Sequence, residues 1–364
     1  MRIVFFGDFL DYQIQLAKAL ISDADVVFVI PKYHLPEEFP EHVDQNISIQ
    51  IYKYRKQSRL NTIRNIFHLM SVIRREKLDI AHIQLGGNWL DFAFFMYFRF
   101  IKKLPTVVTF HDVKLHLGEE RLSMKIWRHW IRQFSDKIIV HGQKLRSEMI
   151  TYYRISPEKV VSIPLGEHNV DTFNTYWKND VKETGNRVLF FGRIHKYKGL
   201  EYLIKAEPLI NEAVPGTKIV IAGEGEDFRK YRDLIGDRSA NFIILNYHVS
   251  FEEGARLFQE CSVVALPYVE ASQSGVILNA YSFKKAVVTS NVGSISEIVD
   301  NKETGILVRP GNVEELASAI IVLLKDKEFR TKLGENGFHK LKRDLSFTEI
   351  TKKILPIYEE LLGK

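Results

Sequence analysis

The chain of 364 residues contains one cysteine, Cys261. That excludes an intrachain disulfide and any metal site built on several thiolates. Cys261 stands just before the apolar run 263–266 and reads as a buried residue suited to a reducing compartment. Long apolar runs are missing too. The most membrane-like stretch, residues 89–101, includes Asp91 and Arg99, and it falls short of the roughly 20 apolar residues a spanning helix needs. Near the amino terminus the apolar residues Ile3 to Phe6 are cut off by Gly7 and Asp8, well under the roughly 7–15 residues in the core of a signal peptide. The expectation is a cytoplasmic protein, soluble or peripheral on the inner face of the plasma membrane. Internal repeats and low-complexity tracts are also missing, which argues against solenoids and disordered tails.

What is present is a globular balance, 45% hydrophobic and 26% charged. The length exceeds what one hydrophobic core serves, so two domains of roughly 150–200 residues are expected. The net charge of +6 is unevenly placed: residues 1–165 hold 24 Lys and Arg against 17 Asp and Glu, and the remainder 27 against 28. The basic first part suits an anionic surface or ligand, and the excess is too mild to call for nucleic acid.

Short β-branched runs alternate with segments of helical period, the pattern of parallel βαβ units. A first series of strands is expected at 2–6, 26–30, 49–54, 80–84, 106–110, 138–140 and 160–163. A second begins afresh at 187–191 and continues at 218–222, 242–245, 263–266, 286–290 and 305–308. Between them the segment 166–185 is polar and aperiodic and reads as a linker. The expected fold class is therefore α/β, with two Rossmann-like domains, 1–170 and 185–345, and a carboxyl-terminal helix at 346–364 that packs back on the first. Open sheets of this kind place ligands at the carboxyl ends of their strands, so the expected active site is a central cleft faced by both domains.

Two segments of the second series carry chemistry. Val188 to Gly199 is a strand ending on Gly192, then a basic loop, then a helix from Leu200, which delivers Arg193 and Lys198 to the sheet edge. A guanidinium and an ammonium there would stabilise a departing diphosphate; the alternative is a solvated basic turn. Pro267 to Ala280 again reads strand, loop, helix, with Ser274 and Gly275 at the helix start. Free amides at that end suit an anion, and glycine lets a phosphate come close; the alternative is an ordinary serine N-cap.

In this order the segments resemble family 4 glycosyltransferases. The likeness runs from Arg2 to about Val308. It is carried by the strand and loop at Gly7, Thr109-Phe110-His111-Asp112, Ile163-Pro164-Leu165-Gly166, Phe191-Gly192-Arg193 with Lys198-Gly199, Ala222-Gly223-Glu224-Gly225, Pro267 to Ala280, and Val292-Gly293 with Glu297. The resemblance implies the GT-B architecture and a retaining sugar transfer in which the leaving phosphate takes the acceptor's proton. It implies that Arg193 and Lys198 hold the donor diphosphate, as do backbone groups at Ser274, Gly275 and Val276. Gly7 lies against the phosphates, and His111 faces the sugar; without the resemblance His111 reads as a capping or core histidine. His248 and Val249 fall where the family contacts the base. Glu297 has two readings, nucleotide contact or helix cap.

One departure stands out. The family's two glutamates, one for the sugar hydroxyls and one for the ribose, fall here on Ala271 and Asn279, with Glu270 one residue early. Asn279 still offers an amide to ribose, without the strength of a charged acceptor.

Asp23-Ala24-Asp25 has the spacing of a metal-binding pair, but it lies between a helix and the next strand, so no metal and no cofactor is expected. Gly223-Glu224-Gly225 lacks the third glycine of a dinucleotide fingerprint. Residues 52–77 read as a core-packed helix, apolar at Leu60, Ile63, Ile66, Phe67, Met70 and Ile73, with a basic face at Arg59, Arg64, Arg74 and Arg75. That basic face reads as solvated; the alternative is that, with Lys102, Lys103, Arg128 and Arg132, it touches an anionic membrane surface.

The functional expectation is transfer of a hexose-type sugar from a UDP- or GDP-sugar donor to a saccharide or lipid-linked oligosaccharide acceptor in bacterial surface polysaccharide synthesis. No carboxylate pair can be placed across a sugar ring as a hydrolase requires. A nucleotide-sugar epimerase of the same architecture and a catalytically idle partner subunit are the competing readings.

Overall fold

The computed structural model describes residues 1–31, 50–54, 70, 73–85, 89–114, 122–167 and 170–363. The chain divides into two compact units, Met1–Gly166 with Phe347–Lys364, and Glu167–Ser346.

Unit 1 is built on strands β1 (Arg2–Gly7), β2 (Asp25–Pro31), β3 (Gln50–Tyr54), β4 (Ile80–Gln84), β5 (Thr106–Phe110), β6 (Lys137–Val140) and β7 (Val160–Ser162). All pair in parallel, in the order β3-β2-β1-β4-β5-β6-β7. Every residue of β4 and β5 is buried, so both faces of these strands are covered, as expected in a parallel sheet, with His82, Gln84, Thr106 and Thr109 as buried polar residues among the apolar ones. Its helices include α1 (Leu10–Ala19), α2 (Trp89–Met96), which runs on into a π-turn at Tyr97–Ile101, α3 (Leu122–Phe134) and α4 (Gln143–Tyr153).

Unit 2 carries β8 (Arg187–Phe191), β9 (Lys218–Ala222), β10 (Phe242–Leu245), β11 (Val263–Leu266), β12 (Ala286–Ser290) and β13 (Gly305–Val308). These are again parallel, ordered β10-β9-β8-β11-β12-β13. Its helices are α5 (Val170–Thr175), α6 (Leu200–Ala213), α7 (Arg229–Ile235), α8 (Phe251–Glu260), α9 (Gly275–Ser282), α10 (Ile295–Ile298), α11 (Val313–Lys325) and α12 (Lys327–Asp344). Side-chain caps start several of them: Ser250 accepts from the Glu253 amide and Asn312 from that of Glu315, each satisfying one orphan donor of a first turn.

The last helix, α13 (Phe347–Leu361), belongs to unit 1. It lies on α1, sets Phe347 edge-on to Tyr12 at 5.1 Å, and pairs Glu360 with Lys137 at 2.7 Å.

Two readings of the sequence change here. The segment expected as a polar linker forms α5, because Phe173 finds an aromatic pocket of Phe191, Phe251 and Phe258, and Glu183 pairs with Arg330 at 2.6 Å. The segment is therefore part of unit 2. Of the cations assigned to a membrane surface, Arg128, Arg132 and Lys102 are committed inside unit 1, while Arg74, Arg75 and Lys103 are exposed. Arg128 and Arg132 are buried and donate to the carbonyls of Asp112 and Val113, and the Lys102 ammonium sits on the carbonyls of Arg74 and Glu76 at 3.1 and 3.0 Å. A buried guanidinium must spend its donors on acceptors, and the loop after β5 supplies them. Residues 55–69 of the expected basic helix, among them Arg59, Leu60, Ile63, Arg64, Ile66 and Phe67, lie outside the described residues, as does Ile49 of the third strand. Met70 packs on the unit 1 core and Ile73 is buried in it.

Candidate functional site

In each unit the strand order reverses beside the first strand, between β1 and β4 and between β8 and β11. That switch point is where an open α/β sheet leaves a crevice for ligand.

In unit 2 the two motif loops meet at the β8–β11 switch. Gly192 has φ of 111°, and a Cβ placed there would lie 3.6 Å from Val276 Cγ2, so the end of β8 sits against the first turn of α9. Gly199, with φ of 68°, passes so close to Pro267 that a Cβ would come 1.9 Å from its carbonyl oxygen; only glycine allows that approach. The amides of Val269 and Glu270 donate to the Tyr197 carbonyl at 2.9 and 3.3 Å. Arg193 projects from this scaffold, exposed. Lys198 is half-buried, its ammonium 4.3 Å over the Tyr268 ring and 5.3 Å from that of Tyr197, an attraction to the ring faces.

Ser274 opens α9, yet its hydroxyl does not cap the helix. It pairs instead with the Tyr268 hydroxyl at 2.8 Å, and burial raises the Tyr268 pKa. The ordinary N-cap reading of Ser274 therefore falls, and the first-turn amides of Gly275 and Val276 have no carbonyl one turn back to bond to. Asn279, one turn on, is buried with its carboxamide oxygen unpartnered. Such an atom costs about 1–3 kcal/mol unless something outside the chain supplies a donor. Glu270 is half-buried, and Ala271 is buried beneath Gly293, whose Cβ would strike the Ala271 carbonyl at 1.8 Å.

Glu297 lies exposed in α10. Ser294 before it does not cap that helix, so the reciprocal capping pair is not made. His248 is exposed on the loop after β10, its Nδ1 3.5 Å from Glu224, with half-buried Val249 beside it. Gly223 and Gly225 are explained by packing: a Cβ on either would meet the Gly192 or Ile194 carbonyl at 2.1 or 2.0 Å. The Gly223 loop thus props the Arg193 loop and is no dinucleotide fingerprint.

Unit 1 is constructed differently. Gly7 pairs with Gln84 across the β1–β4 switch, and with φ of 108° a Cβ there would lie 1.9 Å from the Gln84 carbonyl oxygen. Gln13 of α1 donates to the carbonyls of Gly7 and Asp8 at 3.1 and 2.7 Å. His111 is buried at the end of β5. Phe9, in the left-handed region at φ 60° and ψ 48°, stacks on the His111 ring at 3.7 Å, while Tyr12 meets it edge-on at 5.3 Å. A bulky residue at positive φ is strained, and such strain gathers at functional sites.

Beneath His111 runs a chain of buried hydrogen bonds. His111 Nε2 lies 2.8 Å from Gln84 Oε1, and Gln84 Nε2 lies 3.3 Å from His82 Nε2. His82 Nε2 also meets Thr109 Oγ1 at 2.7 Å, and its Nδ1 meets the Tyr358 hydroxyl of α13 at 2.6 Å. Burial, with the nearby His141 adding to it, pushes His82 down to about 3, so His82 is neutral at physiological pH. The Gln84 amide group can only donate, hence His82 Nε2 accepts and its proton sits on Nδ1, directed at Tyr358. Gln84 Oε1 can only accept, which places a proton on His111 Nε2. Sequence reading missed Gln84, Gln13, Phe9 and Tyr358. Of these only Gln84 carried a signal, a polar residue closing an apolar strand.

Asp23 and Asp25 lie at the opposite, amino-terminal end of this sheet, where Asp25 pairs with Arg2.

Comparison with known proteins follows the same division. Residues 171–340 match the family model described as glycosyl transferases group 1, and residues 12–166 match that of glycosyltransferase family 4. An uncharacterized glycosyltransferase of Methanocaldococcus jannaschii is 25% identical over 96% of this chain and 94% of its own. A phosphatidyl-myo-inositol mannosyltransferase of Mycolicibacterium smegmatis is 23% identical over 71% of this chain and 66% of its own. Among solved structures, Anabaena HepE in complex with UDP superposes with a TM-score of 0.75 at 17% identity, covering 99% of this chain and 100% of its own. Two doubly wound α/β units, motif loops at both switch points and two matching family models lead to one assignment: the chain belongs to the group 1, family 4 glycosyltransferases of the GT-B fold and is a transferase enzyme.

Proposed function

We propose that the enzyme moves a hexose-type sugar from a nucleotide-sugar donor to a saccharide or lipid-linked saccharide acceptor, with retention at the transferred carbon and without a metal. The observation that carries this reading is the β8–β11 switch of unit 2. There an exposed Arg193, the Lys198 ammonium and the first turn of α9 surround a place for an anion, and Asn279 offers an acceptor oxygen to a ribose hydroxyl. As the glycosidic bond breaks, negative charge grows on the leaving diphosphate, and fixed cations and amides stabilise it in the role a metal ion plays elsewhere. The acceptor hydroxyl attacks from the face the nucleotide leaves, and the departing phosphate oxygen takes its proton, so no enzyme nucleophile is used.

In unit 1, Gly7 and His111 are the residues the family resemblance assigns to the phosphates and the sugar. Anabaena HepE has been solved with UDP-glucose, which supports a uridine donor, and the mycobacterial relative's name supports a lipid-borne acceptor. Surface polysaccharide synthesis on the cytoplasmic side of the plasma membrane is the setting that suits both.

The test is product analysis by mass spectrometry with a panel of UDP-, GDP- and ADP-sugars, with and without acceptor, and in chelator. Transfer to an acceptor that persists in chelator supports the reading. A strict need for Mg²⁺ or Mn²⁺ overturns the metal-free part, epimerised donor without transfer replaces transferase by epimerase, and no donor turnover points to an idle subunit.

A further inference from the structure

Helix α3 buries two cations beside its core residue Ile131 and leaves an apolar stripe exposed. Its cations Arg128 and Arg132 are buried against the loop that carries His111, while Leu122, Ile126, Trp130 and Phe134, four residues apart, are exposed. Leu122 is 74% exposed, and the other three between 37% and 48%. The stripe continues onto the π-turn after α2, where Phe100 packs edge-on to Phe134 at 5.5 Å and Ile101 is 70% exposed. Trp130 stacks on Phe134 at 5.2 Å, so the surface is a joined patch rather than scattered side chains. Amphipathic helices ordinarily bury the apolar face, and a contiguous exposed apolar patch marks an interaction site.

We propose that this face of unit 1 docks on an anionic lipid bilayer. Charge decides the occupant. The sequence of α3 contains no Asp or Glu, and in residues 89–103 the one carboxylate is Asp91, which is buried. Asp136, just past α3, is held by Arg99 at 3.0 Å and by the Thr106 amide at 2.8 Å. Exposed cations rim the patch: Lys125 on α3, Lys103 after the π-turn, and Arg74, Arg75 and Lys77, the last three brought near by Lys102 through its bonds to the Arg74 and Glu76 carbonyls. Tryptophan, phenylalanine and leucine inserted at headgroup depth, with Lys and Arg around them, is the chemistry of interfacial binding to negative membranes. The inference deepens the lipid-side part of the proposed function and rests on it only for the acceptor. Because α3 also holds the Asp112 and Val113 carbonyls, docking would set the His111 loop directly behind the bilayer contact.

The test uses the full chain and vesicles of phosphatidylcholine, alone or mixed with phosphatidylglycerol, separated by sedimentation. Wild type is expected to sediment with the mixed vesicles, less so at high salt, and weakly with phosphatidylcholine alone. The variant Leu122→Gln, Ile126→Gln, Trp130→Gln should partition roughly tenfold less or weaker, with donor turnover on a water-soluble acceptor unchanged. Lys103→Glu with Lys125→Glu should weaken binding to the mixed vesicles alone. Equal sedimentation of wild type and the triple variant, or no binding of wild type, overturns the proposal. So does a lipid-free dimer that the triple variant dissociates, since the face then belongs to a second copy. Vesicle binding without turnover on any acceptor leaves the docking face standing and sinks the transferase reading instead.

Discussion

The two switch points use the same backbone device for opposite ends. At β8–β11, glycines bring two loops together, with Arg193 exposed and the buried Asn279 oxygen left without a partner in the chain. At β1–β4, a glycine presses the backbone onto Gln84, and the polar groups point inward along a continuous chain, His111 to Gln84 to His82 to Tyr358. On the proposed function, the first receives the charge of a ligand, and the second fixes the His111 ring. Preorganised donors are most effective where charge develops. A buried network fully satisfied from within serves to fix geometry.

Removing the outward groups is the strongest way to test that contrast. Arg193→Ala and Lys198→Ala are each expected to lower kcat/KM by about a hundredfold or more, the scale for losing a charge contact made in the transition state, with circular dichroism melts close to wild type. Wild-type rates in either variant would place the diphosphate elsewhere.

The inward chain should respond more mildly and in a different parameter. Gln84→Leu removes the acceptor from His111 and the donor from His82, and turnover should drop by about tenfold with nucleotide affinity in unit 2 unchanged. Tyr358→Phe should do the same to a smaller degree. Nitrogen-15 spectra of the histidine rings supply the readout that packing alone would not alter: wild-type His111 is expected as the Nε2–H tautomer, and Gln84→Leu as a mixture. A wild-type His111 protonated on Nδ1 alone would reverse the whole chain of donors.

Asn279→Ala should weaken nucleotide binding by tenfold or less, the value of about one neutral hydrogen bond of order 1 kcal/mol, and Asn279→Glu should bind as well or better. Calorimetry on the three proteins decides. If Asn279→Glu abolishes binding and Asn279→Ala is silent, the buried oxygen does not face the ribose.

The inward chain also bears on stability against acid. His82 is held neutral with a pKa near 3, below its usual 6.5, so at pH below about 6.5 the unfolded chain binds a proton that the native chain refuses. The native state is then disfavoured progressively as pH falls from 6.5 towards 3, and the contribution is fully present above that window. Urea midpoints of His82→Gln should fall less steeply than wild type over the same range. Parallel slopes would mean other groups govern acid unfolding.

Sequence alone determined the two series of strands, because apolar runs that are buried on both faces are local and continuous. It also placed the loops at Gly192–Gly199 and Pro267–Gly275 at strand ends, because the apolar run stops and glycine, serine and basic residues follow before the next helical period. Tertiary structure decided what depends on partners distant in the chain. Phe173 drew an apparent linker into unit 2 by finding an aromatic pocket. Arg128 and Arg132 turned inward because the carbonyls of Asp112 and Val113 required donors, and that turned the apolar stripe of α3 outward against the ordinary rule. Gln84 became the pivot of unit 1 only when β4 came to lie beside β1 and beneath α13, since a glutamine's role is set by which groups face its amide, and in the sequence Tyr358 is 274 residues away from it.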